Sequence, residues 1–572
     1  MRINILKSAG NLAVYCLYLV ICSTICYQEA LAAPPSMIDT NTAKTIPRNP
    51  TQYTQPNPQL LIPPQDPVPQ IFSGPDRTDD NTILVKKVNF HGNTKITNIV
   101  LQTLVQEFID RPLDVADLEE LRYKVTKYYI NSGYINSGAT IAAYDSHLKH
   151  LTIQITEGYV GTINVQGLTR LKPKYIQDRL RIAGTEPLHL PTLQDRLLVM
   201  LNDPMIKSIR GGILPSPTFG AAILTADVIE QKPYSINLQL DNHSPVSLGE
   251  QRILLNGILR NNLGFGERLN FIIDGSRGNR HGYLELDFPI NAIGTRVYAS
   301  VEEGAASVIE EPLDVLEIKS TSKNIKFGLT HPLINTSTRN LNLGLSLGYT
   351  TTKNTLLNAP FDFSPGSVDG KTRVAPLQFS QEWGEQGADF AYTLRSVLSF
   401  GLNGFNVTPT SGPQDAKFTS WLIQQSYIQR LSNSWQILGR LDLQLADSHL
   451  PPTEQVSAGG ANTIRGYREN SVIRDQILIS SLEFRYAILE PYLASRFGTL
   501  EGAVFTDFSR SWNATSNAEY VDLHSVGLGL LWNWRNYVQT QLYWGRQLKN
   551  SHINDRGTWQ DSGIHAQIVL SY

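Results

Sequence analysis

From residue 234 to residue 572 apolar and polar positions alternate with period two. Tyr234, Ile236, Leu238 and Leu240 alternate with Ser235, Asn237, Gln239 and Asp241. Trp435, Ile437, Leu441, Leu443 and Leu445 alternate with Gln436, Arg440, Asp442 and Gln444. This period places one kind of residue on each face of a strand. Sixteen such runs start near 234, 250, 265, 280, 295, 318, 339, 372, 388, 416, 435, 475, 498, 523, 537 and 563. Short connections (261–267, 384–389, 431–434) alternate with mostly long ones (303–319, 351–371, 402–417, 447–474, 509–522, 548–562). An even number of strands of about ten residues, with short turns at one end and long loops at the other, predicts a closed transmembrane barrel. A soluble β-sandwich shares the alternation. The loop rhythm favours the barrel, as do Trp421, Trp532, Trp534 and Trp544 near strand ends and a last run that stops on Tyr572.

Between residues 82 and 231 the pattern repeats. Val88-Asn89-Phe90-His91-Gly92-Asn93-Thr94-Lys95-Ile96 recurs 75 residues later as Ile163-Asn164-Val165-Gln166-Gly167-Leu168-Thr169-Arg170-Leu171. The same offset carries Pro112-Leu113 onto Pro187-Leu188 and Leu118 onto Leu193. Each copy reads β-α-α-β-β. The first strand alternates through Leu84, Lys86, Val88 and Phe90 to a glycine turn. The second helix presents Leu118, Leu121, Val125 and Tyr128 on one stripe, with Asp114 as N-cap and Asp117 three residues on. In the second copy Thr192 is the expected cap, Asp195 follows it, and Leu193, Leu197 and Met200 or Leu201 form the stripe. The closing strands are expected at 139–144, 151–157, 205–214 and 221–229.

The N-terminus changes the picture. Arg2 and Lys7 precede an apolar stretch over 12–27 and an Ala30-Leu31-Ala32 cleavage pattern, which together predict a secretory signal peptide over 1–32. Its removal takes away all three cysteines, Cys16, Cys22 and Cys26, and with them any disulfide framework, thiol nucleophile or Cys-ligated metal. Residues 33–80 are rich in proline and read as an extended linker. No later window is apolar over about 18 residues, so an integral mature protein must cross as a barrel. The division expected is then signal peptide 1–32, linker 33–80, modules 81–158 and 159–231, and barrel 232–572. Charged residues make up 17% of the chain and the net charge is −2, which argues against a nucleic-acid binder with a strongly basic face. The sequence has neither a Walker loop nor a Gly-x-Ser-x-Gly elbow, and His147-Leu148-Lys149-His150 is not a convincing metal site, so neither enzyme nor cofactor is expected.

Candidate chemistry lies in the loop at 447–474. It holds Gly459-Gly460-Ala461-Asn462-Thr463-Ile464-Arg465-Gly466-Tyr467-Arg468. The second element is Phe505-Thr506-Asp507 on the thirteenth run. If Leu500, Gly502, Val504 and Thr506 face lipid, Phe505 and Asp507 face the lumen. Together these residues resemble the outer-membrane transporters of two-partner secretion, the haemolysin-activator/secretion (TpsB-type) family. Ile464-Arg465-Gly466-Tyr467 matches the family's V/I-R-G-Y/F loop between strands eleven and twelve. Phe505 and Asp507 match its F/G-x-D motif on strand thirteen. The resemblance implies two polypeptide-transport-associated (POTRA) modules in the periplasm before a sixteen-stranded outer-membrane barrel. It implies an Arg465–Asp507 pair that holds the loop in the lumen. It also implies export of an unfolded secreted partner, a large β-helical adhesin or haemolysin-like cargo, without ATP. Outer-membrane lipid, periplasmic chaperones and the barrel-assembly machinery are the further partners implied. A barrel-insertion factor of the same superfamily is the alternative.

Overall fold

The computed structural model describes residues 82–572 except 183, 364–366, 405–406, 408–416, 490, 515–518, 536 and 550–556. The expected signal peptide and proline-rich linker lie outside the described residues. The first module comprises β1 (Lys87–His91), α1 (Asn98–Val105), α2 (Val115–Asn131), β2 (Gly138–Asp145) and β3 (His150–Thr156). β3 is central, parallel to β1 and antiparallel to β2. The second module repeats this with β4 (Tyr159–Gln166), α3 (Pro173–Leu180), α4 (Leu190–Leu201), β5 (Ile206–Pro215) and β6 (Ala221–Glu230), with β6 central. Each sheet packs its apolar face on the helices: Val88, Leu121, Val125, Leu151 and Ile153 in the first core, Ile163, Leu193, Leu197, Leu224 and Val228 in the second.

The repeated glycine has a physical cause in both copies. Gly92 (φ +84°) and Gly167 (φ +81°) are left-handed, and an added Cβ would lie 2.2 Å from the Ile155 carbonyl oxygen or 2.3 Å from that of Val228. The turn that follows is held by a carboxylate from the last strand's end. Thr94 and Lys95 N–H donate to Glu157, each at 2.8 Å. Thr169, Arg170 and Leu171 N–H donate to Glu230 at 2.8–2.9 Å. Partial burial pushes both carboxyls up. The opposing hydrogen bonds, from the Thr94 hydroxyl and backbone N–H groups in one module and mainly backbone N–H groups in the other, leave them below their ordinary 4.5.

Three local expectations are corrected. The first strand is broken: Ile83–Leu84 pairs with Pro112–Leu113, Val85 is buried, and the ladder to β3 begins at Lys87. The α2 stripe runs Leu121, Val125, Tyr129, with Leu118 and Tyr128 only partly buried. Asp114 and Asp117 do form a capping box there. In α4 the N-cap is His189 and not Thr192. Pro191 fits the first turn, where no N–H partner is needed, so the helix starts earlier. The Thr192 hydroxyl instead lies 2.6 Å from the His189 ring.

Sixteen antiparallel strands follow: β7 (Tyr234–Asp241), β8 (Arg252–Arg260), β9 (Arg268–Gly275), β10 (Asn279–Pro289), β11 (Arg296–Ser307), β12 (Lys319–Asn335), β13 (Arg339–Leu356), β14 (Pro376–Gln386), β15 (Phe390–Gly401), β16 (Thr419–Arg430), β17 (Trp435–Ala446), β18 (Gln476–Ala487), β19 (Thr499–Trp512), β20 (Val521–Trp534), β21 (Val538–Gln547) and β22 (Ile564–Ser571). β22 pairs with β7 and closes the barrel. Ala359–Pro360 and Lys371–Val374 extend the β13–β14 hairpin at the long-loop end. Apolar residues point outward: Phe327, Val504 and Leu528 are each more than half exposed. The second module meets the short turns. Asp195 accepts from the Ser337 hydroxyl at 2.8 Å, Arg196 donates to the Ala292 carbonyl at 3.4 Å, and Lys172 N–H donates to the Gly264 carbonyl at 3.3 Å. An even strand count keeps the modules and Tyr572 at this same end.

Candidate functional site

The chain between β17 and β18 does not stand outside the barrel. It folds back against the inner wall formed by β18 to β22, starting with a ribbon of Val456–Ala458 and Val472–Arg474. Asp475 bolts the base of the loop. Its buried carboxylate accepts from Leu450 N–H at 3.0 Å and Gln455 Nε2 at 2.9 Å, with the His449 ring nitrogen 2.7 Å away. Ile464 and Tyr467 pack with Val456, Ala458, Ile477, Ile479 and Leu523 in a small apolar cluster.

Strand alternation builds the wall. Phe505 and Asp507 are buried on the inner face of β19, with Val504 exposed between Ala503 and Phe505 on the other. Register sets Ser481 opposite Asp507 and Glu483 opposite Phe505. Across the next pair Gly527 stands opposite Phe505. Into this niche comes Arg465, whose side chain has no exposed surface. Its Nε donates to Asp507 Oδ2 at 2.8 Å and its Nη2 to Oδ1 at 2.9 Å, a bidentate fork. Its backbone N–H donates to the same carboxylate at 3.0 Å. Its Nη1 donates to Glu483, which also accepts from Arg485 Nε at 2.6 Å and Tyr543 hydroxyl at 3.0 Å. The Ser481 hydroxyl donates to Asp507 at 2.6 Å. The guanidinium carbon lies 3.5 Å from the Phe505 ring centroid and 4.7 Å from that of Tyr543. Two arginines thus meet two carboxylates in this buried group. Removing one member of such a buried pair costs about 3–5 kcal/mol, because its partner stays desolvated.

The residues after Arg465 fasten the loop further. Gly466 is left-handed (φ +93°) and lies against β21, where an added Cβ would sit 2.7 Å from the Gly545 carbonyl oxygen. Its N–H donates to His565 Nε2 at 3.1 Å, and its carbonyl accepts from Gln547 at 2.8 Å. The Tyr467 hydroxyl donates to the Lys549 carbonyl at 2.6 Å and accepts from His524 N–H at 3.2 Å. Arg468 turns toward the long-loop end. It holds Asp561 through Nε and Nη2, the latter at 2.8 Å, and Glu310 through Nη1 at 2.9 Å. Buried Gln560 accepts from Glu469 N–H at 2.9 Å and donates to the Ser244 carbonyl at 2.8 Å.

The structure thus brings Ile464, Arg465, Gly466, Tyr467, Phe505 and Asp507 into one cluster. Sequence reasoning missed Ser481, Glu483, Arg485, Tyr543 and His565. A signal existed on β18, where Ser481, Glu483 and Arg485 alternate with Leu482, Phe484 and Tyr486 and so share the inner face. Nothing in the sequence said which level of the bore they would occupy. The arrangement suits a lock that positions a segment in a bore.

A barrel closed on sixteen strands, two β-α-α-β-β modules under its short turns and an arginine loop seated inside it define an outer-membrane POTRA-plus-barrel transporter. The family profile described as "Haemolysin secretion/activation protein ShlB/FhaC/HecB" matches residues 220–531, and that described as "POTRA domain, ShlB-type" matches residues 83–158. The chain belongs to this haemolysin secretion/activation family. It is 20% identical over 460 residues to the heme/hemopexin transporter protein HuxB of Haemophilus influenzae (strain 86-028NP), covering 77% of this chain and 78% of that one. It is 21% identical over 425 residues to the outer membrane transporter CdiB of Escherichia coli O6:K15:H31 (strain 536 / UPEC), covering 71% and 69%. The solved structure of CdiB from Escherichia coli superposes with a TM-score of 0.64 at 17% identity, over 90% of this chain and 94% of that one. That likeness concerns the fold. Like other members of the family, the protein resides in the outer membrane with its POTRA modules in the periplasm.

Proposed function

We propose that the protein exports a secreted partner protein across the outer membrane by two-partner secretion. In this reading the modules catch the unfolded cargo in the periplasm, and the loop of Ile464 to Tyr467 holds the barrel in a state competent to open. The observation that carries the reading is the Arg465 fork on Asp507, inside a barrel whose periplasmic end bears two small modules with edge strands. β2 and β5 are edge strands of their sheets, and each lies beside a helix, so each offers unpaired backbone groups to an extended peptide. The cargo is a large, β-rich chain whose folding outside the cell draws it through. Periplasmic chaperones keep that cargo extended, and the barrel-assembly machinery inserts the transporter among the outer-membrane lipids.

One experiment addresses both ends of the path. Arg465→Ala, carrying a photo-crosslinker at exposed Arg210 on β5, should fold and remain heat-modifiable. It should trap cargo at the module and reduce secretion more than tenfold. Normal secretion by this variant removes the role assigned to Arg465. General loss of other outer-membrane barrels, with cargo export intact, favours an assembly factor instead.

A further inference from the structure

The outer face of the barrel carries a second patterned feature, independent of the Arg465 loop. Along β12 the outward positions Leu329, Phe327 and Ile325 give way to Lys323, Thr321 and Lys319. Along β13 Leu345, Leu347 and Tyr349 give way to Thr351 and Lys353. Register aligns these changes across strands. Ile325 stands opposite Val301 and Tyr349, Lys323 opposite Glu303 and Thr351, and Thr351 opposite Arg373. One level further out, Arg280 stands opposite Ala305, Ala305 opposite Thr321, Thr321 opposite Lys353, and Lys353 opposite Lys371. Residues in register share a face. Arg280, Lys319, Lys323, Lys353, Lys371 and Arg373 therefore form a cationic band across β10 to β14 and its extension, directly beyond the apolar belt.

Two observations point to an anionic ligand for this band. Lys353 and Lys371 are directly opposed, an arrangement that costs stability unless negative charge compensates it. Among the described residues, two carboxylates form ion pairs with lysines of the band. Glu303 lies 2.9 Å from Lys323 and Glu317 lies 3.5 Å from Lys319. Nearby Asp362 accepts from Gly370 N–H and the Ser367 hydroxyl within its own loop. The band lies at the end opposite the periplasmic modules, where the apolar belt of the outer face ends. It is continuous with the lipid-facing surface below it. We propose that it binds the acidic headgroup of the outer-leaflet glycolipid, lipopolysaccharide, with the acyl chains lying along Ile325, Phe327, Leu345 and Leu347.

The test is titration of the full-length protein in detergent micelles with bisphosphorylated lipid A, read by native mass spectrometry. Lys323→Gln, Lys353→Gln, Lys371→Gln and Arg373→Gln combined should weaken binding tenfold or more. Raised salt should weaken binding to the wild type. Inorganic phosphate at the same concentration should not compete. Equal binding by wild type and variant overturns the proposal. Competition by inorganic phosphate overturns the lipid as the source of the anion, and equally tight binding of phosphatidylglycerol overturns the glycolipid assignment. If the fourfold variant fails to become heat-modifiable, Lys353→Gln with Lys371→Gln keeps the test, because both side chains are exposed at the hairpin extension. Secretion in that double variant should be unchanged, which separates this inference from the role of Arg465.

Discussion

Arg465 uses every guanidinium nitrogen: Nε and Nη2 donate to Asp507, Nη2 also to Ser481, and Nη1 to Glu483. A lysine ammonium has no such planar fork and cannot reproduce it. The neighbouring Gly466 is constrained more severely. Its left-handed backbone and the 2.7 Å approach to the Gly545 carbonyl leave no side chain that could swing away to admit a methyl group. Gly466→Ala should therefore unseat the loop tip although every charged residue remains. The expected outcome is secretion reduced to the level of Arg465→Ala, with the loop newly open to trypsin in intact cells. A variant that secretes normally and stays protected would show that the wall yields at Gly545.

At the scale of the element, the two modules share one device: a carboxylate at the end of the last strand holds the turn after the first. The Glu157 and Glu230 carboxyls lie below their ordinary value in the folded state. A carboxyl lowered on folding stabilises the native state above the unfolded value, and that contribution disappears as pH falls through the folded one. The modules should thus lose urea resistance below about pH 4.5 and hold it near neutrality. The far-ultraviolet helix signal follows mainly the modules, since among the described residues α1 to α4 lie there and the barrel holds only the seven-residue helix Pro491–Phe497. Glu157→Gln should lower resistance at pH 7 by about 1–2 kcal/mol and flatten the pH dependence, a charged acceptor being worth more than a neutral one. An unchanged pH profile in that variant would assign the effect elsewhere.

At the scale of the whole molecule, Arg468 joins parts that the chain keeps far apart. Glu310 belongs to the loop between β11 and β12, and Asp561 to the loop between β21 and β22. These loops flank the run of strands containing the β22–β7 closure. Gln560 adds the loop between β7 and β8 to the same roof. Arg468→Ala should loosen the long-loop end and leave the Arg465 fork in place. Single-channel recording should show higher or more frequent conductance than wild type, with a barrel that remains heat-modifiable. Identical traces would place the barrier deeper, at Arg465 itself.

Period-two alternation sufficed to read all sixteen barrel strands from the sequence, because a barrel strand has lipid on one side and the bore on the other along its length. The 75-residue repeat was legible because each module needs the same left-handed glycine turn after its first strand, at Gly92 and Gly167, and the same offset carries Pro112-Leu113 and Leu118 onto their counterparts. The RGY loop and the Phe505–Asp507 wall stood out through family resemblance. Weaker local signals failed: helix α4 began before Thr192 because Pro191 admitted it, and the first strand broke at Val85. The sequence by itself determined which residues face inward. Only the tertiary structure decided which inward residues meet, since the level of Glu483, Tyr543 and His565 around Arg465 depends on strand register and on how far the loop descends. Those quantities are set by closure of the whole cylinder and are encoded in no single run of residues.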